Sequence, residues 1–246
     1  RRDWEGTRGT GLLAALAAVS VLALPGCGRE RAPTQAWLGP VVDVAAPAAA
    51  GARFPHLAAA PGGAPVVVSW LEPGRNGSRY SLRYAAWQEV RRWGPATEVA
   101  AGENWFINWA DFPSVVPLDE HALAAHWLQQ QPGGAYSYDV TTRLSTERGR
   151  TWSAPAAPHD DGTATEHGFV SIADWQGQPY AVWLDGRNTA REGHDHDGHA
   201  PGNGAMSLRG AVLAADGARA GSEIDGRVCD CCQTDMARTR DALLVV

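Results

Sequence analysis

Two short stretches of the chain gather side chains that bind metals or exchange electrons. His194-Asp195-His196-Asp197-Gly198-His199 places three imidazoles and two carboxylates within six residues. Imidazole and carboxylate together suit a divalent transition metal such as zinc, with His194, Asp195, His196 and His199 as ligands. A Gly-rich loop of the same composition is equally at home in water. No other cofactor is expected. The second stretch is Cys229-Asp230-Cys231-Cys232. Three thiols this close either hold a soft ion, copper(I) or zinc, or form a disulfide with one thiol left over. In an oxidising compartment the disulfide is the preferred reading. A third pattern, Asp185-Gly186-Arg187, sets opposite charges two residues apart directly after Trp183-Leu184. It reads as an ion-pair turn on a loop that a strand delivers to one face of the fold.

The compartment is read from the N-terminus. Arg1, Arg2 and Arg8 precede an apolar run from Gly11 to Leu24 that is short and Ala-rich for a membrane span. Leu24-Pro25-Gly26-Cys27 then resembles a bacterial lipobox. Residues 1–26 are therefore expected to be a lipoprotein signal peptide, with Cys27 lipid-modified and the protein exported and anchored to a bacterial membrane. Residues 27–50, rich in Ala, Pro and Gly, read as a flexible tether, with Val41-Val42-Asp43-Val44 as a first strand. Removing the leader leaves 18 Arg against 25 acidic residues, a net charge of −7.

The elements that position these residues come from a phrase that recurs. Phe54-Pro55-His56-Leu57 leads to Val66-Val67-Val68-Ser69-Trp70-Leu71. Phe112-Pro113-Ser114-Val115 leads to Ala122-Leu123-Ala124-Ala125-His126-Trp127-Leu128. Phe169-Val170-Ser171-Ile172 leads to Pro179-Tyr180-Ala181-Val182-Trp183-Leu184. The three Phe lie 58 and 57 positions apart, and each phrase closes on Trp-Leu. Apolar, β-branched and aromatic runs punctuated by Gly and Pro at such a period mark an array of strand repeats. Ser207-Leu208-Arg209-Gly210-Ala211 echoes Ser81-Leu82-Arg83-Tyr84-Ala85, so the 26 residues between Trp183 and Arg209, against 13 between Trp70 and Arg83, measure an insertion over 188–203. A fourth repeat begins near Cys232-Gln233-Thr234-Asp235 and reaches Leu243-Leu244-Val245-Val246.

The middle repeat carries a sharper motif, Ser145-Thr146-Glu147-Arg148-Gly149-Arg150-Thr151-Trp152. It resembles the Asp-box of the BNR repeat of sialidase-like β-propellers, with Glu147 where Asp is usual. Gly149 is expected at positive φ in a tight turn and Trp152 as a plug that folds back on it. The resemblance implies an all-β fold, a β-propeller of four-stranded antiparallel blades over 51–246. It implies about six blades in the complete protein, with about three and a half present here and the rest beyond residue 246. It also implies site residues. Arg53, beside Phe54-Pro55, stands near the family's carboxylate-binding Arg, whose planar fork grips a carboxylate twice. Glu72 matches an acidic residue after the second strand. The following loop, Pro73-Gly74-Arg75-Asn76-Gly77-Ser78, lacks the family's acid/base Asp, so Asp111 is a candidate by position, with Asp185 and Arg187 beside it in the catalytic set.

Composition narrows the partners. There is no Lys, the 21 basic residues are all Arg, they are scattered, and the net charge is −6. This excludes a nucleic-acid groove, which needs a basic stripe. Eleven Trp exceed what three repeats bury, which leaves some for a sugar-binding surface. The expectation is an exported, lipid-anchored, sialidase-like propeller, monomeric when complete, that binds or hydrolyses extracellular glycans, with this segment inactive alone. The alternatives are a non-catalytic binding or assembly module, and a metal- or redox-linked exported protein using the His and Cys clusters.

Overall fold

The computed structural model describes residues 39–60, 62–75, 77–89, 91–189, 204–215 and 221–246. Cys27 and the cluster His194, Asp195, His196 and His199 lie outside them. The chain divides into the units Arg1–Asp43 and Val44–Val246. Of the first, only 39–43 are described; they are exposed and belong to no strand. This corrects the expected strand at Val41–Val44. None of the four residues is in a strand, and Val41 is 98% exposed.

The second unit is all-β, and its strands follow one another as antiparallel meanders. The first sheet contains β1 (Arg53–Ala58), β2 (Val67–Pro73), β3 (Arg79–Gln88) and β5 (Thr97–Glu103), with the two-residue β4 (Arg92–Trp93) folded back on β3. The second contains β6 (Ser114–Pro117), β7 (Leu123–Gln130) and β8 (Tyr138–Ser145). The place of its fourth strand is held by a single bridge, Thr142 to Ala156. The third is complete: β9 (His167–Trp175), β10 (Gln178–Asp185), β11 (Ser207–Val212) and β12 (Ser222–Asp225). A hairpin of β13 (Met236–Arg238) and β14 (Leu243–Val245) opens the next. These are the blades of a β-propeller. No helix among the described residues is long and apolar enough to cross a membrane.

Register shows that the repeats are structural equivalents. Trp70 faces Arg83 and Trp183 faces Arg209, while Trp127 faces Thr141. All three Trp are buried on second strands. The first strands share an irregularity too. Phe54 and Phe169 both take a left-handed backbone, φ 54° and 53°, at register shifts between β1 and β2 and between β9 and β10. A bulky non-Gly residue there marks a deliberate bulge, which turns the strand; the Phe169 ring is buried and the Phe54 ring partly so. The second strands carry apolar runs instead of alternation because both faces are covered. One core lies between the first and second blades, with Leu71, Leu82, Tyr84, Val115 and Trp127. Two more lie between the second and third, around Ala124, Ile172 and Ala181 and around Leu128, Val140 and Trp183.

The Ser145–Trp152 turn matches its expected physics. Gly149 has φ 78°, and a Cβ on it would collide with the Tyr84 hydroxyl of the neighbouring blade. The Ser145 hydroxyl oxygen accepts from Gly149 N–H at 2.9 Å, and Glu147 accepts from the Thr151 hydroxyl at 2.7 Å. Glu at this position thus still closes the turn. Trp152 packs edge-on against Tyr84, ring centroids 6.2 Å apart.

Candidate functional site

One edge of the second and third blades collects the ionisable side chains. It is the edge where second strands end, third strands begin and the connection into the next blade arrives. Tyr138 starts β8 opposite Gln130 and bridges to Glu166. His167 starts β9 opposite Asp185, the last residue of β10. Asp111 precedes β6. Loops at such an edge are free to vary while the sheets hold their bases rigid.

The first group on this edge is built on one phenol. The Tyr138 hydroxyl lies 2.6 Å from Glu166 Oε1 and 3.0 Å from Asp111 Oδ2. It has one proton to donate and two carboxyls to satisfy. Asp111 is buried and its other oxygen accepts Phe169 N–H at 2.8 Å. Burial, against the opposing hydrogen bonds from Phe169 and Tyr138, pushes the Asp111 carboxyl up to about 7. Burial pushes Glu166 up as well and, together with the two carboxylates, raises Tyr138. Below about pH 7 Asp111 keeps its proton, and in that state it can donate to the phenol oxygen while the phenol donates to Glu166. Gly168 is what admits this arrangement, since a Cβ there would collide with Asp111 Oδ2. Phe106 stacks on the Tyr138 ring at 3.9 Å.

The second group surrounds His167, which is fully buried. Its Nε2 lies 2.8 Å from Asp161 Oδ2. Asp185, also fully buried, accepts from Trp183 Nε1 at 2.8 Å and from Arg187 Nε and Nη2 at 2.7 and 2.8 Å. Burial acts to raise Asp185, but the fork of Arg187 and the Trp183 indole outweigh it and hold the carboxylate below its usual range. Asp161 is held at about 2: burial opposes this, and two hydrogen bonds from Thr163 with the contact to His167 prevail. Arg187 Nη2 reaches Asp161 at 3.1 Å, so one guanidinium ties two carboxylates. His159 stacks on His167, centroids 4.0 Å apart, and is lowered to about 4, first by burial and then by His167.

The residues expected from sequence are thus distributed. Asp111, Asp185 and Arg187 converge on this edge. Glu72 stands at the end of the second strand of the first blade, in contacts of its own. Its Oε1 accepts from Trp70 Nε1 at 2.8 Å and Ala49 N–H at 3.0 Å, and Oε2 pairs with Arg83 at 3.1 Å. It is the first blade's counterpart of Asp185, a carboxylate that accepts from the Trp two residues before it. Arg53 is exposed at the head of β1, where its counterpart by register is Gly168. Cys229 and Cys232 form a disulfide, as preferred from sequence; Cys231 is free and exposed, its Sγ 3.7 Å from that of Cys229. Sequence reasoning missed Tyr138, Asp139, His159, Asp161, Glu166 and His167. The only signal was positional: Gly168-Phe169, directly after His167, stands where Asp111-Phe112 stands one repeat earlier. A cleft of about 450 Å³ between the first two blades, lined by Val67, Tyr84, Ala86, Glu120, Leu123 and Arg148, opens at the opposite strand ends and shares none of this chemistry.

Comparison with protein-family models gives no match, and comparison with curated proteins gives none. Among solved structures, the chain is similar to an α-L-arabinanase of Penicillium chrysogenum complexed with arabinobiose, at 13% identity and TM-score 0.48, over 74% of this chain and 53% of that one. It is also similar to an α-L-arabinofuranosidase of Fusarium graminearum in complex with an iminosugar inhibitor, at 12% identity and TM-score 0.42, over 65% and 45% of the two chains. The chain spans about half the length of these structures. At such identities and scores the likeness carries no argument, and the blade assignment rests on strand pairing within this chain.

Proposed function

We propose that this chain belongs to an exported, glycan-binding propeller whose sugar site is the edge around Asp111, Tyr138 and Glu166. The observation that carries this reading is the pairing of exposed aromatic rings with hydrogen-bonding carboxyls on the same loops. Trp109, 80% exposed, stands two residues before Asp111, and Tyr136, 66% exposed, two before Tyr138. Large exposed rings beside convergent polar groups suit a ligand with one apolar face and a fringe of hydroxyls, which describes a sugar.

Hydrolysis is the finer reading. A glycosidase needs one carboxyl still protonated near neutral pH and a second ionised one. Asp111, at about 7, supplies the first, and Glu166 stands beside it as the second carboxyl. Sialoside specificity rests on the sequence resemblance, with Arg53 as the carboxylate clamp. A specific observation favours binding without turnover: Asp111 is only 2% exposed and Tyr138 engages both carboxyls. The disulfide supports export, since such bonds persist in oxidising compartments, and lipid on Cys27 would hold the protein at the membrane.

The test is titration of the chain with sialylated and neutral oligosaccharides, followed by tryptophan fluorescence, beside turnover assays on fluorogenic sialosides and α-L-arabinofuranosides. Trp109→Ala and Tyr136→Ala are each expected to weaken binding about 3- to 10-fold with thermal stability unchanged. Arg53→Ala should weaken only the sialylated ligands. Binding that ignores both aromatic substitutions removes the reading.

A further inference from the structure

The face holds a second set of donors that the glycan reading does not use. We propose that Asp139, His159 and His167 form a site for a divalent transition metal of the zinc class. The inference stands apart from any sugar chemistry.

His167 carries the argument. Its Nε2 lies 2.8 Å from the Asp161 carboxylate, which also accepts from Thr163 and pairs with Arg187. With the Nε2 proton given to that carboxylate, Nδ1 is the ring nitrogen that can offer a lone pair to an ion. Nδ1 is fully buried and has no hydrogen-bond partner. What it faces is Asp139 Oδ1, at 3.6 Å. His159 Nε2 approaches the same oxygen at 3.9 Å. One donor atom from each of the three residues lies within 4.8 Å of the others. A buried ring nitrogen facing a carboxylate oxygen is unfavourable unless a proton or a metal cation stands between the two. A His that donates one ring N–H to a carboxylate and offers the other nitrogen to a metal is the arrangement by which proteins orient imidazole ligands.

Size and charge agree. Ligands about 2.0–2.1 Å from a tetrahedral zinc stand about 3.3–3.5 Å apart, so 3.6 and 3.9 Å need a small contraction, and the two ring nitrogens, within 4.8 Å of each other, must close to the same range. His159 must release the N–H of Val140, a long contact at 3.3 Å, and tilt off the parallel stack. Asp139, Asp161 and Asp185 together bring three negative charges, and Arg187 returns one. The carboxylates and the guanidinium leave a residual −2, which a divalent ion cancels. Asp160 lies farther out, toward Arg187. The overlapping trio Asp161, His167 and Asp185 already holds the Arg187 guanidinium, which directs the ion to the Asp139 side. That side is open: the Asp139 side chain is 29% exposed, which gives an ion its entry and a water its ligand position. Two nitrogens and one oxygen favour zinc, cobalt or nickel over magnesium or calcium.

The experiment uses the full chain with His194, His196 and His199 changed to Asn, so that the loop cannot supply the ion. After chelator dialysis it is titrated with cobalt(II) and zinc, and bound metal, visible absorption and thermal midpoint are recorded. One equivalent is expected, with tetrahedral cobalt absorption, no thiolate charge-transfer band and a midpoint that rises with metal. Asp139→Asn and His159→Asn should each abolish the equivalent, and Asp161→Asn should weaken it about 10- to 100-fold. Circular dichroism establishes that each variant is folded, and either of the first two suffices for the decision. No bound metal in the loop-substituted chain, a thiolate band accounting for the equivalent, or unchanged affinity in a folded Asp139→Asn or His159→Asn protein overturns the proposal.

Discussion

Asp111 shows what a single buried side chain can impose. Its carboxyl titrates near 7 in the folded chain against an ordinary 3.8. Between about pH 4 and 7 the folded state therefore keeps a proton that the unfolded chain has released. Whatever stability this residue contributes is full below that window, falls as pH rises through it, and is level above it. His126 acts in the opposite sense. Buried beside Ser114, with burial holding it at about 3 against 6.5, it costs stability as pH falls from about 6.5 toward 3. The two oppose each other over about pH 4 to 6.5. Asp111→Asn keeps an oxygen for Phe169 N–H and cannot titrate, so the variant's denaturation midpoint should climb more steeply with pH from about 4 to 7 than the wild type's. Equal slopes would mean that Asp111 is ionised throughout. This residue was legible as a candidate because it precedes the second Phe. Its partners were not. Tyr138 and Glu166 come from other connections, and a repeat period says where strands recur but not which loop residues meet.

At the scale of the element, most of the fold was legible because repetition exposes it. Three Trp at matching offsets fall at matching registers, and the third strand of the third blade was located through its echo of the first despite the insertion. What the period did not show is how a repeat decays. The outer strand of the second blade shrinks to the Ala156 bridge, because Ser153 and Arg143 take hydrogen bonds that a ladder would have made. The turn that leads into it can be dissected with two glycines. Gly177, in the hairpin between β9 and β10, has φ 78°, and a methyl group added there would meet nothing within 4 Å. Gly149 has the same φ, but the Tyr84 hydroxyl stands where its methyl would go. Gly177→Ala should cost about 1–2 kcal/mol, the backbone cost alone. Gly149→Ala should cost about 1–3 kcal/mol more, since Tyr84 and its contact to Arg148 must move. Urea denaturation of both variants measures the difference. Equal losses would show that the blade interface yields freely at Tyr84.

For the molecule as a whole, the three larger cores among the described residues lie between blades, so protection should follow how many neighbours a strand has. β7 is buried along nearly its whole length, with Ala125 and Trp127 in the core shared with the first blade and Ala124 and Leu128 in those shared with the third. β10 is covered from the second blade through Ala181 and Trp183, and through Leu184 it enters a cluster with Phe169 and Met206. The hairpin of β13 and β14 pairs three residues with three and has no buried residue. Its attachment is local: Thr234 donates to the Phe169 carbonyl at 2.6 Å, and Arg238 pairs with Asp174 at 2.7 Å. Opening that hairpin exposes little apolar surface, whereas opening β7 requires parting two interfaces at once. Native-state hydrogen exchange of this chain should therefore find amides of β7 and β10 exchanging only through global unfolding, with β13 and β14 exchanging through local opening that is insensitive to low urea. If β13 and β14 instead share the urea dependence of β7, the blades open as one cooperative body and stability is not assembled interface by interface.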